Sequence, residues 1–290
     1  MRNILESVRD CGMKHLTRMV AYLGISAILS MPHIALAQIS DTDKLPNEYV
    51  QLKRIVNKLA KANNLGEQSL IFTIVPGGYA MSLAAGLGLC DKESCSYYGQ
   101  INPFKKYGGK TDEILRQNYL YGTIEGWAHS TGTVEISHQS FRIYGDREDF
   151  LACTVAHELV HVVENHSFHK AKDSSEQARG TSDDQKKLIH AQVSRDYEIK
   201  ADQGSYEIMT RAGYPETTCL EALDFLHKST GDGSITSPED SHPGYDERME
   251  ALKSYIASSN KEFMNTEGST SGVWSYRSDM NFLKFSPIPR

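Results

Sequence analysis

One pentapeptide, His157-Glu158-Leu159-Val160-His161, constrains the fold of this chain more than any other feature. It lies in a segment, residues 149 to 166, whose apolar residues recur at spacings of four, four and three, as on one face of an α-helix. Residues four positions apart in a helix share a face. The two histidines point away from the apolar stripe, which comprises Leu151, Val155, Leu159 and Val162. Any fold must therefore place two imidazoles side by side on a core helix.

Two imidazoles in this arrangement can bind one tetrahedral metal ion, with Glu158 beside them as a general base. Histidine and carboxylate ligands favour zinc, so we expect one zinc ion per chain. A catalytic zinc needs a third protein ligand. Glu198 is available on a predicted helix from 188 to 211, and Asp202 lies one turn further along. Taken alone, these two carboxylates are more typical of a solvated helix face than of a metal site.

The first 37 residues differ from the rest of the chain. Lys14 and Arg18 precede an apolar run from 19 to 31, and small residues follow at 35 to 37. This order is typical of a secretory signal peptide, cleaved here after Ala37. We therefore expect a periplasmic or secreted protein.

A retained membrane anchor is the alternative interpretation of this segment. Pro32 and His33 interrupt the apolar run before the roughly 18 residues that a membrane span needs. We therefore expect no integral membrane segment in the mature chain, and a single domain over residues 38–290. Translation can start at Met1 or at Met13, which opens a more conventional basic leader.

The charge of the mature chain argues against nucleic acid as a partner. Removing residues 1–37 takes away four basic and two acidic residues, which changes the net charge from −6 to −8. An acidic surface does not favour binding to phosphate groups. The sequence leaves the oligomeric state open.

Four cysteines remain after cleavage, an even number that suits an oxidising compartment. Of three possible connectivities we favour Cys90 with Cys95, which is local, and Cys153 with Cys219, which would brace the helix that carries the two histidines. Four unpaired or buried thiols are the alternative.

Several other elements follow from residue patterns. Residues 84–122 are rich in glycine, tyrosine and polar groups, and predict an irregular insertion. Residues 167–186 predict an exposed polar loop. Strands are predicted at 70–75 and 133–137, and further helices at 47–62, from Thr218 and from Ser241, with an extended tail from 270 to 290.

Four motifs occur in a fixed order between residues 125 and 258 and resemble a known family. They are His157-Glu158-x-x-His161-Val162, Glu198-x-x-Ala201-Asp202, Arg211-Ala212-Gly213-Tyr214, and Ser241-His242-Pro243 with Arg248 five residues on. In this they resemble the HtpX-like, Oma-like and CAAX-prenyl-protease metallopeptidases of peptidase family M48, and the soluble periplasmic members most.

The resemblance implies a gluzincin site. In such a site His157, His161 and Glu198 bind zinc and Glu158 acts on water. Asp202 would then hold the outer N–H of a ligating histidine. The resemblance thus favours a metal site over a solvated helix face for Glu198 and Asp202.

The resemblance also implies where substrate and transition state bind. The stretch from Gly132 to Ser137 matches the edge strand on which substrate lies, through residues Gly132, Thr133, Val134, Glu135 and Ile136. His242 and Arg248 are placed near the metal as catalytic residues. His242 would stabilise an oxyanion, or would occupy the open metal position in a latent form.

Together these features predict an α+β, zincin-like domain that is mostly helical with a small sheet. The function expected is hydrolysis of peptide bonds in exported or misfolded proteins. One rival is a latent or non-catalytic zinc-binding chaperone or assembly factor in the periplasm. The other is a zinc hydrolase that acts on a substrate other than protein. Physiological substrate and sequence preference cannot be read from the residues.

Other histidines and one tyrosine are less suited to catalysis. His166 and His169 follow the metal motif but lie beyond it, and we expect neither to bind the metal directly. His129 and His138 flank the predicted substrate strand and are interpreted as surface or subsite residues. Tyr245 lies three residues after His242 and is a weaker candidate for contact with an oxyanion.

Overall fold

The computed structural model describes residues 45–91, 94–231, 233–259, 262–265 and 268–289. The proposed signal peptide and its cleavage site lie outside these residues. The helices are α1 (Asn47–Ala62), α2 (Gly78–Gly86), α3 (Cys95–Gln100), α4 (Gly109–Tyr121), α5 (His138–Tyr144), α6 (Glu148–Val163), α7 (His166–Gln177), α8 (Asp183–Arg211), α9 (Thr218–Thr230) and α10 (Tyr245–Ser258), with a 3₁₀ turn at Glu262–Asn265. The strands are β1 (Leu70–Val75), β2 (Gly126–Ala128), β3 (Thr133–Ser137), β4 (Gly272–Arg277) and β5 (Phe282–Pro287).

The five strands form one mixed sheet in the order β2-β3-β1-β5-β4. β1 and β3 run parallel, while the β2–β3, β1–β5 and β4–β5 pairs are antiparallel. β1 is buried almost throughout, because it lies between two strands at the centre of the sheet. The predicted α+β class, mostly helical with a small sheet, is confirmed.

The helix with the two histidines, α6, is the centre of the molecule. It packs against α1, α8, α9 and the short strand β2. Its apolar stripe lies in the main hydrophobic core, with Leu151, Val155 and Leu159 fully buried. The predicted partition of this helix into a core face and a histidine face is confirmed.

The longest helix, α8, begins at a capping box. The Ser182 hydroxyl accepts the backbone N–H of Gln185, and the Gln185 side chain accepts the N–H of Ser182 in return. Asp183 and Asp184 in the first turn are favourable at the positive end of the helix dipole. Val193 and Ala201 pack into the interior, which holds the middle of α8 against α6.

Two predicted irregular segments are wrong. The stretch 84–122 contains α3, α4 and the end of α2. These helices share a small core of Ala80, Ala84 and Ile114, which is too few residues to produce a periodic apolar pattern in the sequence. The stretch 167–186 contains α7 and the start of α8. Its composition is polar because α7 buries only His166 and Ser174, so most of its surface faces solvent.

Of two predicted helix starts, one is confirmed, because α9 begins at Thr218, and one is wrong. Thr217 precedes α9 without a side-chain cap, and its hydroxyl donates to the Glu221 carboxylate at 2.7 Å. The last helix begins at Tyr245 rather than at Ser241. His242 therefore lies in the preceding loop and not in the first turn of α10.

The preferred cysteine pairing is confirmed. Disulfides join Cys90 to Cys95 and Cys153 to Cys219. The second links α6 to α9, one helical turn before His157. Across the described ranges, no helix combines the length and apolar character that a membrane span requires.

Candidate functional site

Helices α6 and α8 bring three side chains to one point. The Nε2 atoms of His157 and His161 are 3.2 Å apart, and the Glu198 Oε2 atom lies 3.2 Å from the first and 3.6 Å from the second. Within the described part of the chain, these three residues form the group of potential metal-ligating side chains that lie close enough together to hold one ion.

The spacing of these atoms provides a test of fit. A tetrahedral zinc ion with bond lengths of about 2.0–2.2 Å holds neighbouring ligand atoms roughly 3.3–3.6 Å apart. The observed separations of 3.2 to 3.6 Å match that requirement without movement of either helix. The donor set of two imidazoles and one carboxylate therefore fits zinc in both chemistry and spacing.

Asp202 supports the first histidine. Its Oδ1 atom accepts the Nδ1–H of His157 at 2.9 Å, which leaves Nε2 free for a metal. Arg248 binds the same carboxylate through two N–H groups, at 2.8 and 2.6 Å. The role expected for Asp202 agrees with this contact. Arg248, which was expected to act in catalysis, pairs with Asp202 and also lines the cavity beside the site.

Glu158 lies against the edge of the sheet. Its side chain is 8% exposed and packs beside Gly126 of β2. A Cβ atom on Gly126 would lie 2.7 Å from the Glu158 Oε1 atom, closer than real contacts allow. The absence of a side chain at position 126 thus gives the Glu158 carboxylate its space.

Burial and pairing set the protonation of the site. Burial raises the pKa of Glu158 to about 7. Burial opposes the charged form of His157, but hydrogen bonds to Asp202 and Glu198 outweigh it and raise the pKa to about 10. Burial likewise opposes ionisation of Glu198, and its bonds to both histidines hold its pKa below the ordinary value. A metal ion has to displace the His157 proton, because ligands bind metals in their deprotonated form.

His242 lies at the mouth of the site. Its side chain is 70% exposed, and its Nε2 atom is 3.8 Å from the Glu198 Oε1 atom. The loop that carries it is fixed by Arg195, a buried residue of α8 one turn before Glu198. Arg195 donates from Nη1 to the carbonyls of Ser237, Pro238 and Asp240.

The predicted substrate strand is wrong as an edge strand. β3 pairs with β1 on one side and with β2 on the other, so its hydrogen-bonding groups are already used. In the described sheet the edge beside the site is β2, Gly126–Ala128. Three residues are too few to show alternation, and for that reason the sequence pattern did not reveal β2.

Of the remaining sequence candidates, only His166 contacts the metal-ligand group. His138 lies 3.2 Å from a Glu48 oxygen, His129 lies 3.5 Å from Glu135, and His169 is exposed. The Tyr245 hydroxyl donates to Asp224 at 3.1 Å. The sequence signal for His166 was its position five residues after His161, but spacing alone did not assign it a role.

A cavity of about 240 Å³ extends from the metal-ligand group. On one side it is bounded by Gly126 and Trp127 of β2. Its inner wall is largely apolar and is formed by Tyr144, the Cys153–Cys219 disulfide, Ala222, Leu223, Leu226 and Leu252.

Two comparisons with known proteins find similarity to metallopeptidases over part of the chain. Residues 183–256 match the model of peptidase family M48, a region that includes Glu198, Asp202, His242 and Arg248 but not α6. The chain is also 26% identical over 158 residues to the metalloprotease YcaL of Escherichia coli strain K12, an alignment that covers 48% of this chain and 61% of that protein. The chain thus spans about three fifths of that relative's length. No solved structure matches the chain significantly.

Proposed function

We propose that this chain is a zinc-dependent endopeptidase of the kind found in peptidase family M48, whose model matches residues 183–256, and that it acts on extended segments of polypeptide. The fold, with its small mixed sheet and its His-His-Glu group, is that of a zincin-like gluzincin domain. One observation carries the proposal. The ligand atoms of His157, His161 and Glu198 converge at zinc spacing beside Glu158 and an edge strand.

The residues of the site divide the chemistry between them. When bound by His157, His161 and Glu198, zinc supplies Lewis-acid polarisation of the scissile carbonyl and brings the pKa of a water molecule towards neutrality. Glu158 accepts a proton from the attacking water and delivers it to the departing amine. A pKa of about 7 suits a group that acts first as base and then as acid.

The edge strand β2 offers the binding mode for a peptide. An extended chain that adds to β2 forms main-chain hydrogen bonds, which depend little on sequence. Gly126 and Trp127 of β2 line the same cavity as Glu158. A peptide on β2 thus brings a peptide bond beside the proposed zinc ligands and the catalytic glutamate, and this role replaces the one expected for β3.

The apolar inner wall of the cavity indicates one preference within this broad specificity. A volume of about 240 Å³ holds one large side chain. Leu223 and Leu226 contribute apolar surface, and burying a Leu or Phe side chain there contributes about 1.5–3 kcal/mol to binding. We therefore assign this cavity to a leucine-sized or phenylalanine-sized residue next to the scissile bond.

Export to the periplasm or outside the cell is part of the proposal. Two disulfides support an oxidising compartment, since reducing compartments keep thiols free. Misfolded exported proteins expose extended apolar segments of the kind that β2 and the cavity would accept. The N-terminal sequence of the protein recovered from cells should begin at Gln38, and one that begins at Met1 or Met13 would contradict cleavage.

A latent form is the second candidate, and the position of His242 favours it. Its Nε2 atom lies 3.8 Å from a ligand carboxylate, on a loop held by Arg195. A histidine there would act as a fourth ligand in a latent enzyme or chaperone, or would bind the oxyanion in an active one.

The test compares zinc content and cleavage of unfolded casein by the protein and its Glu158→Gln variant. Equal zinc with cleavage only by the unmodified protein supports the peptidase. Glu176→Gln is the matched control, because Glu176 is exposed on α7 and should leave cleavage unchanged. Zinc in both without cleavage by either supports the latent form, and cleavage released by His242→Ala would establish it. Absence of zinc would refute the proposal.

A further inference from the structure

A third histidine, which is buried, lies against the proposed ligand set. His166 is 3% exposed, and its Nδ1 atom is 3.1 Å from the Nδ1 atom of His161. Its other ring nitrogen, Nε2, is 3.1 Å from a carboxylate oxygen of Glu164. Both nitrogens of this imidazole therefore have a partner, and one partner is a proposed metal ligand.

We propose that His166 is a positioning residue that accepts the outer N–H of His161 and so fixes the ring that binds the metal. A histidine that binds through Nε2 carries its proton on Nδ1, which then needs an acceptor. His166 supplies that acceptor through its own Nδ1, and its Nε2–H donates to Glu164. The chain of donors thus runs in one direction, from His161 through His166 to a carboxylate.

The local backbone brings His166 to this place. Helix α6 ends at Val163, and Asn165 then adopts the left-handed conformation, with φ of 52°. Asparagine tolerates this conformation better than most residues. The chain reverses there, so that the first residue of α7 lies back against His161, five positions earlier.

Two further contacts hold the His166 ring. The ring of Tyr197, the residue before Glu198, meets it edge to face at a centroid distance of 4.9 Å. The Tyr197 hydroxyl donates to Asp173 of α7 at 2.8 Å. Helix α7, expected from the sequence to be a loop, therefore holds His166 between α6 and α8.

The two ligand histidines thus receive different support. His157 donates to the buried carboxylate of Asp202, whose charge is paired with Arg248. His161 donates to a neutral imidazole, and that chain ends at Glu164, which is 54% exposed. The inference rests on the proposed metal site but not on peptidase activity.

The experiment measures zinc affinity by competition with a chromogenic chelator. His166→Phe keeps an aromatic ring against Tyr197 but has no acceptor, whereas His166→Asn places a carbonyl oxygen where Nδ1 stood. We expect the Phe variant to bind zinc about tenfold or more weakly, the usual range for loss of such a partner. The Asn variant should stay within about threefold of the unmodified protein. His169→Ala, which removes an exposed histidine three residues on, is the matched control and should bind zinc normally.

Equal affinities of the Phe and Asn variants, whether both strong or both weak, would overturn the assignment. A measurement on the unmutated, zinc-loaded protein tests the assignment even if a variant fails to fold. Its imidazole ¹⁵N shifts should show His161 protonated at Nδ1 and His166 protonated at Nε2, and the opposite pattern in His166 would also overturn it. Absence of zinc binding by the unmutated protein would instead refute the proposed function.

Discussion

Gly126 determines whether the Glu158 carboxylate can occupy its position. A Cβ atom at residue 126 would lie 2.7 Å from the Glu158 Oε1 atom and 3.1 Å from its Cδ and Cγ atoms. Ordinary contacts of this kind are at 3.4 Å or more. Gly126→Ala therefore has to move the carboxylate, the strand or both by about 0.7 Å.

The kinetic effect of that movement can be estimated. A displacement of about 1 Å in a positioned catalytic group costs on the order of 100-fold in rate. We therefore expect Gly126→Ala to lower kcat/KM by about 10-fold to 100-fold, which corresponds to roughly 1.4–2.7 kcal/mol of transition-state stabilisation. Zinc affinity should stay unchanged, because the three atoms nearest to this Cβ all belong to Glu158 and none to a proposed metal ligand.

The assay is cleavage of a quenched fluorescent peptide by both proteins, with zinc content and thermal unfolding measured on the same samples. Gly86→Ala makes the same chemical change where no atom lies within 4 Å of the new Cβ, and should leave kcat/KM unaltered. Wild-type kcat/KM in Gly126→Ala, at equal zinc content, would refute the idea that this glycine provides the space for Glu158.

Two further predictions concern the apolar wall of the cavity and the two disulfides of the protein. Leu226→Asp places a charge in the cavity and should lower cleavage next to Leu or Phe about 10-fold or more. The measurement is mass spectrometry of a digested peptide library, and an unchanged cleavage-site preference would show that this wall does not determine specificity. Replacing Cys153 and Cys219 by Ala should lower the free energy of unfolding in urea by about 4 kcal/mol, against about 2 kcal/mol for Cys90 and Cys95, because the sequence separations are 66 and 5 residues. Equal losses would contradict the loop-entropy explanation.

Local periodicity was sufficient for the elements with a strong pattern. α1, β1 and β3 have the bounds predicted from the sequence, at 47–62, 70–75 and 133–137. In each, apolar residues recur over enough positions to distinguish a helix from a strand. The ends of the longest helices were less well predicted, because termini depend on capping contacts such as that of Ser182 with Gln185.

The candidate site shows the same division. The spacing of His157 and His161 already requires both imidazoles to share a helix face, since four residues make about one turn. Glu198 was different, because nothing in its own segment distinguishes a ligand from a solvated glutamate. Only its resemblance to a family motif selected it, and the packing of α8 on α6 then placed its carboxylate at zinc spacing.

The sequence by itself thus determined what short-range geometry controls, namely the histidine pair, the helix that carries it and the central strands. The tertiary structure alone decided that β2, and not β3, is the edge beside the site, and that His166 meets His161. It also decided that Arg248 holds Asp202. The physical reason is that strand order and contacts between helices depend on how distant segments pack, and neither the period nor the composition of one segment contains that information.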